Sequence, residues 1–459
     1  MKKYLFLALA NIFLISNLSY AKNTRHGTGL SFDDNKYNKT LLSAPLLRGQ
    51  YDNIPASNSL IKYAPKVGNQ GDFGTCVGWS TTYAARTILY NMNKGNTFTE
   101  ELNTHSAFSP SYVYNQLSTD TTCQLGTFLD DALGILTNQG ATQLWDFGYE
   151  CNKPVTVVDK MLAASYKIDG YKKLFDIDNT DKINPVRKSL SENKPVVIGM
   201  KCCSESFGNS YGADVWTTNP NEPEPAKGHA MAIIGYDDNK YNGAFLIMNS
   251  WGEEWGNKGF IWVRYADFSK YTKYAYEMIE TEKGESISGN LEFKTINGQK
   301  MPIKLNNSVY EVSKPYSSGT LFRLYVTNNE PAYIYAIGSD LTNQTYKIFP
   351  HKDNISPYLG YKNSEFALPD EDHYIRMDNT TGTDYFCFLY SKDAINIEEL
   401  RQKIQAEDGS FIEKVNKALV GKIIDSKDIK YSNDQKISFS AQAKKEKNIL
   451  PVIVKMEHN

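Results

Sequence analysis

Apolar residues recur with helical spacing in two stretches of the N-terminal half of the chain. Residues 76–92 predict one helix, because their apolar residues fall three to four positions apart. Residues 127–138 predict a second helix, and Gly140 follows at a position where a helix end is commonly capped. We therefore expect the first folded unit to begin with helices.

A different pattern begins at residue 196, where short apolar, β-prone segments are joined by polar and glycine-containing turns. These segments are Val196–Met200, His229–Tyr236, Ala244–Met248 and Gly259–Tyr265. Helices followed by such strands predict an α+β unit.

The C-terminal part follows a predicted linker at Glu280–Asn290, where charge, glycine and serine concentrate. Its apolar segments are short and separated by Asn, Gly, Ser and Pro, which is typical of a β-sandwich or a related all-β unit. The predicted strands are Thr320–Val326, Ala332–Ile337, Tyr346–Phe349, His373–Met377, Asp384–Leu389 and a closing strand Ile449–Val454, with one helix at Ile397–Ile404.

The first 21 residues have the pattern of a signal peptide. Lys2 and Lys3 precede an apolar run, and small residues three apart end it at Ala21. A membrane anchor would need about 20 apolar residues, whereas Asn11 and Asn17 interrupt this run. We expect export to the periplasm or the medium, with cleavage near Ala21 and no integral membrane span afterwards.

The length of 459 residues predicts two folded units. We divide the chain into a signal peptide (1–21), an N-terminal extension or short pro-segment (22–57), a first domain (58–284) and a β-rich domain (290–459). Lys and Arg total 50 and Asp and Glu total 52, so the chain lacks the basic field that a nucleic-acid partner requires.

Six cysteines in an exported protein raise the question of disulfides. Cys123 and Cys151 are candidate partners, Cys202 and Cys203 are adjacent, and Cys387 lies alone in the C-terminal part. The sequence leaves the connectivity open.

Four residues stand in local phrases that together supply the chemistry of amide hydrolysis. Gln70 and Cys76 lie in Asn-Gln-Gly-Asp-Phe-Gly-Thr-Cys-Val-Gly-Trp-Ser, His229 in Gly-His-Ala-Met-Ala-Ile-Ile-Gly-Tyr-Asp, and Asn249 in Met-Asn-Ser-Trp-Gly-Glu-Glu-Trp-Gly. Cys76 would be the nucleophile at the start of its helix, His229 its base and Asn249 the group that orients the base. Gln70 would donate to the developing oxyanion.

Each residue also has an ordinary structural interpretation. Most cysteines that form no disulfide are small buried residues, a histidine on a strand is commonly structural, and an asparagine at a strand end is common in turns. Trp251 could cover the His229–Asn249 bond from water or be a core residue. Gly74 could let the backbone approach a substrate closely.

In combination, these phrases resemble the papain family of cysteine peptidases over roughly residues 55–280. The resemblance implies a helical lobe, a lobe built on a β-barrel-like sheet, a cleft between them, and peptide hydrolysis through a thioacyl intermediate. It also implies that Gly126 offers its backbone to an extended substrate. The chain departs from the family pattern at Phe73, Val77 and Leu125, and the long inhibitory prodomain is missing.

The C-terminal part resembles an uncharacterised β-rich domain of bacterial exported proteins. It brings no chemistry, and the acidic cluster Asp370–His373 is predicted to be a solvated loop rather than a metal site.

The sequence thus predicts an exported cysteine peptidase acting on peptides or proteins, with no cofactor and no metal. Two alternatives stay open: a vestigial peptidase-fold binding protein, and an acyltransferase that uses the same thiolate. The choice between endopeptidase and exopeptidase is also open.

Overall fold

The computed structural model describes residues 26–95, 99–202, 204–223, 228–281, 284–340, 342, 344–432 and 436–459. The predicted signal peptide, residues 1–21, lies outside these described residues. Within those ranges, no helix combines the length and the apolar content that crossing a bilayer requires.

The helix that begins at Cys76 packs against the helices Pro110–Leu117 and Leu129–Asn138. That helix runs without a break through a π-helical segment, Trp79–Arg86, and ends at Asn93, which confirms the prediction for residues 76–92. The predicted helix over 127–138 is also confirmed, and Gly140 follows it with a φ of +86°. The α-helices are α1 (Asp34–Lys39), α2 (Gly49–Asp52), α3 (Cys76–Gly78), α4 (Thr87–Asn93), α5 (Glu100–His105), α6 (Pro110–Leu117), α7 (Leu129–Asn138), α8 (Leu144–Phe147), α9 (Val157–Ala163), α10 (Ile183–Ser191), α11 (Glu205–Gly208) and α12 (Tyr265–Tyr271).

One antiparallel sheet forms the second part of this domain. Its strands are β1 (Ser57–Ser59), β2 (Gly170–Lys173), β3 (Val196–Met200), β4 (His229–Asp237), β5 (Ala244–Met248), β6 (Phe260–Arg264) and β7 (Thr272–Ile279). The order is β2-β7-β3-β4-β5-β6, with β1 added to β4, so the described strands form an open path and not a closed barrel. The four predicted strands are confirmed, and the α+β class with them.

The helix from Cys76 and strand β4 bury their apolar faces in one core. Val77 and Ile88 of the helix share this hydrophobic cluster with Ala232 and Ile234 of β4. Because both elements are buried along their length, the packing fixes the start of the helix relative to the start of β4.

The C-terminal domain consists of two sheets and a helical pair. Its strands are β8 (Ser286–Thr295), β9 (Ile303–Asn306), β10 (Val309–Val312), β11 (Leu321–Asn328), β12 (Ala332–Ser339), β13 (Thr345–Phe349), β14 (Tyr358–Leu359), β15 (Ser364–Leu368), β16 (Ile375–Arg376), β17 (Gly382–Ser391), β18 (Ile429–Tyr431), β19 (Ile437–Gln442) and β20 (Ile449–His458), and its helices are α13 (Ile397–Ala406) and α14 (Phe411–Ala418). The sheet orders are β13-β12-β17-β20-β10-β9 and β15-β11-β8-β19-β18. The β-rich prediction is confirmed, and strand β8 occupies the second half of the predicted linker.

Side-chain alternation on β17 explains how this domain is layered. Phe386 and Phe388 point into a core that also contains Phe293 and Phe439 of the other sheet. The intervening residues, Cys387 and Leu389, pack against the helical pair through Leu400 and Val415. Since successive residues of a strand face opposite sides, a strand covered on both sides reads as a continuous apolar run.

A buried ion pair lies where the two domains meet. The Lys172 ammonium of β2 is 3.1 Å from a carboxylate oxygen of Glu277 on β7, and both side chains are 1% exposed. The hydroxyl of Tyr361, from the C-terminal domain, donates to the same carboxylate. The C-terminal domain therefore completes the hydrogen bonding of a charge buried in the first domain.

Replacing one partner of this ion pair should lower the free energy of unfolding more than replacing both partners. We expect Lys172→Met to lower the free energy of unfolding by about 3–5 kcal/mol, because the Glu277 carboxylate stays buried without its cation. The double variant Lys172→Met/Glu277→Gln should lose less free energy of unfolding, because no unpaired charge stays buried. Urea unfolding followed by tryptophan fluorescence measures both, and equal losses in the two variants would contradict the assignment.

Candidate active site

The N-terminal extension enters the cleft between the helix from Cys76 and the start of β4. We call residues 26–48 the N-terminal strap. Its first part runs extended, with the Leu30 N–H directed at the Gly228 carbonyl, 3.4 Å away, and the Ser31 N–H donating to the Thr127 carbonyl at 3.0 Å. A peptide chain of the protein itself therefore lies in the cleft beside Cys76.

Cys76 lies under this chain at the start of its helix. Its side chain is fully buried, and the Gly29 N–H donates to its sulfur at 3.2 Å. The loop before it is fixed by a hydrogen bond of 2.6 Å from the Gly74 N–H to the Cys123 carbonyl. Cys123 and Cys151 form a disulfide, as the sequence suggested for this pair.

Gln70 is oriented by its neighbours so that its amide nitrogen faces the cleft. The Ser250 hydroxyl donates to its side-chain oxygen at 2.6 Å. Its nitrogen donates to the carbonyl of Gly27 in the strap at 3.0 Å and to the Phe73 carbonyl at 2.7 Å. The Gln70 amide is thus held as a donor toward a peptide carbonyl in the cleft.

His229 opens β4 and bonds to Asn249, which follows the end of β5. Its Nε2 lies 2.7 Å from the Asn249 side-chain oxygen, which also accepts the Ser250 N–H at 2.8 Å. Since that oxygen is an acceptor, Nε2 carries the hydrogen in the neutral ring and Nδ1 is the basic nitrogen. Among the described residues, Nδ1 is buried without a hydrogen-bond partner.

Burial sets the charge of this imidazole. It lowers the pKa of His229 to about 4, and the bond to Asn249 opposes that shift only in part. With the strap in place the ring is therefore neutral at physiological pH.

Trp251 lies against both His229 and the strap. Its ring stacks on His229 at 4.5 Å between centroids and on His26 at 4.4 Å. Its indole N–H donates to the Gly27 carbonyl at 3.1 Å. Trp251 therefore covers His229, as its place in the sequence suggested, and also binds the chain in the cleft.

Two successive strap amides link the halves of the site. Gly29 donates to the Cys76 sulfur, and the next amide, that of Leu30, points at the carbonyl of Gly228, which precedes His229. Because consecutive Cα atoms are about 3.8 Å apart, one short stretch of the strap contacts both the Cys76 sulfur and the start of β4. The structure bonds His229 directly to Asn249 and Gln70 to Ser250, the residue after Asn249, and Cys76 is linked to this group through the strap.

Gly74 and Gly126, the predicted substrate-binding glycines, both border the strap. A methyl group on Gly126 would lie 2.6 Å from the Gly29 carbonyl oxygen, and one on Gly29 would lie 1.8 Å from that of Gly74. The Thr127 N–H donates to the Gly29 carbonyl at 2.8 Å. The cleft therefore admits a main chain in close contact but not a side chain at position 29.

The strap presents the wrong group to the sulfur for cleavage. The carbonyl that Gln70 binds is that of Gly27, whereas the Cys76 sulfur contacts the N–H of Gly29. Attack requires the same peptide group to offer its carbonyl carbon to the sulfur and its oxygen to the oxyanion donor. In this register the strap blocks the cleft as a ligand and is not aligned as a substrate.

Sequence reasoning missed several contributors to the site. Tyr149 donates to the Gln70 carbonyl at 2.9 Å and lies 2.8 Å from the Thr75 hydroxyl, and nothing in its surroundings signals this role. Ser250 could have been found, since it lies within the Asn-Ser-Trp-Gly phrase. In the described part of the chain, no three His, Cys, Asp or Glu residues converge as metal ligands.

Comparison with known proteins identifies the family of this domain. The sequence profile of the papain family of cysteine proteases matches residues 57–283. Vignain from Ricinus communis is 28% identical over 217 residues, which are 46% of this chain and 54% of that protein. Cathepsin K from Mus musculus is 24% identical over 236 residues, 51% of this chain and 66% of that protein. The chain thus spans about half to two thirds of the length of these relatives.

Among solved structures, xylellain, a cysteine protease from Xylella fastidiosa, aligns at 19% identity and a TM-score of 0.46, over 56% of this chain and 97% of that chain. The profile match includes Gln70, Cys76, His229 and Asn249 within its limits. The chain therefore belongs, through residues 57–283, to the papain family of cysteine proteases.

Proposed function

We propose that this protein is an exported cysteine peptidase that hydrolyses peptide bonds through a thioacyl intermediate. Cys76 is the nucleophile, His229 the base and Asn249 the residue that orients it. Gln70 supplies the side-chain donor of the oxyanion site. Gly74, Gly126 and Trp251 contact the substrate chain.

One observation carries this proposal: a peptide carbonyl in the cleft receives a hydrogen bond from Gln70 while the Cys76 sulfur contacts the same chain. The cleft thus binds extended main chain, and its donors face carbonyl oxygen. A donor held in place before reaction stabilises a developing oxyanion without reorganising.

The proposed reaction follows from the orientation of the imidazole. With the strap displaced, the Cys76 thiol proton passes to His229 Nδ1, and the sulfur attacks the scissile carbonyl carbon. The imidazolium then protonates the leaving amine as the C–N bond breaks, leaving a thioester on Cys76. Water, deprotonated by the neutral His229, attacks the thioester and releases the carboxylic acid and the thiol.

Export rests on residues 1–21 and agrees with the chemistry of the first domain. The Cys123–Cys151 disulfide forms part of the loop that supports Gly74 and Gly126. Disulfides persist in oxidising compartments such as the periplasm and the extracellular medium. A reducing cytoplasm would remove this cross-link from the wall of the cleft.

Kinetics of three variants test the division of roles. In the Gly29→Ala chain, where the strap no longer fits the cleft, we expect the added change Cys76→Ala or His229→Ala to lower kcat/KM for a fluorogenic peptide at least about 1000-fold, because nucleophile and base act as one unit. Asn249→Ala should lose about 10- to 100-fold, since the base remains but its orientation is lost. Thr218→Ala, on a polar position outside the cleft, serves as the control.

Equal and complete loss in Asn249→Ala and His229→Ala would contradict this division. Unchanged turnover in Cys76→Ala would overturn the peptidase proposal altogether. An added amine that appears in the product would reveal acyl transfer in place of hydrolysis.

The pKa of His229 should follow the covering of the cleft. Histidine-labelled NMR should show this ring titrating near pH 4 in the wild-type chain and closer to its ordinary value in Gly29→Ala, where the strap no longer fits. His229→Gln assigns the signal. An identical pKa in both proteins would show that the strap does not cover the ring.

These pKa values also give the direction in which pH changes the stability of the state with the strap in the cleft. Between about pH 6.5 and pH 4 an uncovered His229 binds a proton that the covered ring does not. The covered state therefore loses stability as the pH falls through this range. Burial also lowers the pKa of His26, against the attraction of Asp72, and this residue acts in the same direction.

A further inference from the structure

The second half of the N-terminal strap lies in the seam between the two domains. The Leu42 N–H donates to the Asn354 carbonyl at 2.6 Å, and the Leu42 carbonyl accepts the Ser356 N–H at 2.8 Å. On its other side, the Ser43 N–H donates to the Lys173 carbonyl at 2.8 Å. The strap is thus hydrogen-bonded as a strand to both domains at once.

The residues that follow are anchored on the C-terminal domain. Ala44 is 5% exposed and belongs to the hydrophobic core of that domain, together with Ile355 and Phe366. The Leu47 N–H donates to the Glu365 carbonyl of β15 at 2.9 Å. This part of the strap is therefore built into the C-terminal domain.

Arg48 ends the strap on the acidic loop that the sequence predicted to be solvated. Its guanidinium binds both carboxylate oxygens of Asp372, at 2.7 and 2.6 Å. The backbone N–H of Arg48 donates to the Glu371 carboxylate at 2.7 Å. The loop is exposed, as predicted, and it also binds the strap.

Helix α1 joins this anchored end to the cleft. The Tyr37 side chain is fully buried, donates to the Phe175 carbonyl at 2.7 Å and stacks on Tyr274 at 4.2 Å between centroids. At its N-terminus, Asp34 pairs with Lys273 at 2.7 Å. The cleft end of the strap is therefore held on the first domain by an ordered helix.

We propose that the C-terminal domain acts as a clamp that keeps the N-terminal strap in the active-site cleft, so that the chain is latent until this anchor is released. The proposal rests on the proposed peptidase function. Fixing the far end of the strap keeps its first residues at a high effective concentration beside Cys76. Loosening the anchor leaves the contacts of α1 with the first domain to hold the strap, so its first residues leave the cleft more often, although no residue of the cleft changes.

Alkylation of Cys76 by iodoacetamide in the full chain, residues 22–459, tests the clamp. Two variants loosen the anchor: Leu42→Pro removes the N–H that bonds to Asn354, and Ala44→Glu places a charge in the core of the C-terminal domain. Gly49→Glu is the matched control, because a side chain there meets nothing within 4 Å. Gly29→Ala displaces the strap at the cleft itself, independently of the anchor.

Peptide mapping by mass spectrometry separates Cys76 from the other cysteines, and circular dichroism confirms that each variant is folded. We expect Leu42→Pro and Ala44→Glu to raise the alkylation rate about tenfold, which corresponds to a loss of about 1.4 kcal/mol in the binding of the strap to the cleft. Gly29→Ala should raise it at least as much, whereas Gly49→Glu should match the wild type.

The outcomes separate the clamp from the peptidase. If Gly29→Ala is reactive but Leu42→Pro and Ala44→Glu stay at the rate of Gly49→Glu, the clamp is wrong. A wild-type chain alkylated as fast as Gly29→Ala would show that the strap does not block the cleft, which also overturns the clamp. If the anchor variants are alkylated faster but cleave no peptide, the clamp stands and the peptidase function fails.

Discussion

The state of the active site depends on the hydrogen bond from the Gly29 N–H to the Cys76 sulfur. A reactive thiol needs a donor or a positive charge beside it to favour its anionic form. Here a main-chain N–H of the protein itself occupies that position. The strap that makes this bond lies in the cleft, where His229 is fully buried and burial lowers its pKa to about 4. The strap is therefore proposed to control both the access to Cys76 and the charge of His229.

The two domains contribute unequally to this arrangement. The first domain supplies Gln70, Cys76, His229 and Asn249, and its core fixes the helix from Cys76 against β4. The C-terminal domain supplies none of these four side chains, yet it buries Ala44 and binds Arg48. It also completes the buried Lys172–Glu277 pair through Tyr361. Its proposed role is therefore to hold another part of the chain in place.

The sequence predicted the reactive groups because each stands in a local phrase with recognisable neighbours. It also predicted helices and strands wherever apolar spacing was regular, as in the helix from Cys76 and in β5. The strap escaped prediction because main-chain N–H and C=O groups make most of its cleft contacts, and these are the same in any sequence. Gly27 and Gly29 lie in the segment that was predicted only as an N-terminal extension or short pro-segment. Arg48 and the acidic loop could not be paired, because long-range ion pairs leave no local pattern.

The most direct measurement of the central claim is mass spectrometry of the Gly29→Ala chain, in which the strap no longer fits the cleft, stopped in acid during the first turnover of an ester substrate. The account predicts an added acyl mass on the peptide that contains Cys76, lost when the thioester is treated with hydroxylamine. Turnover with no adduct at Cys76, or with the adduct on another residue, would contradict it.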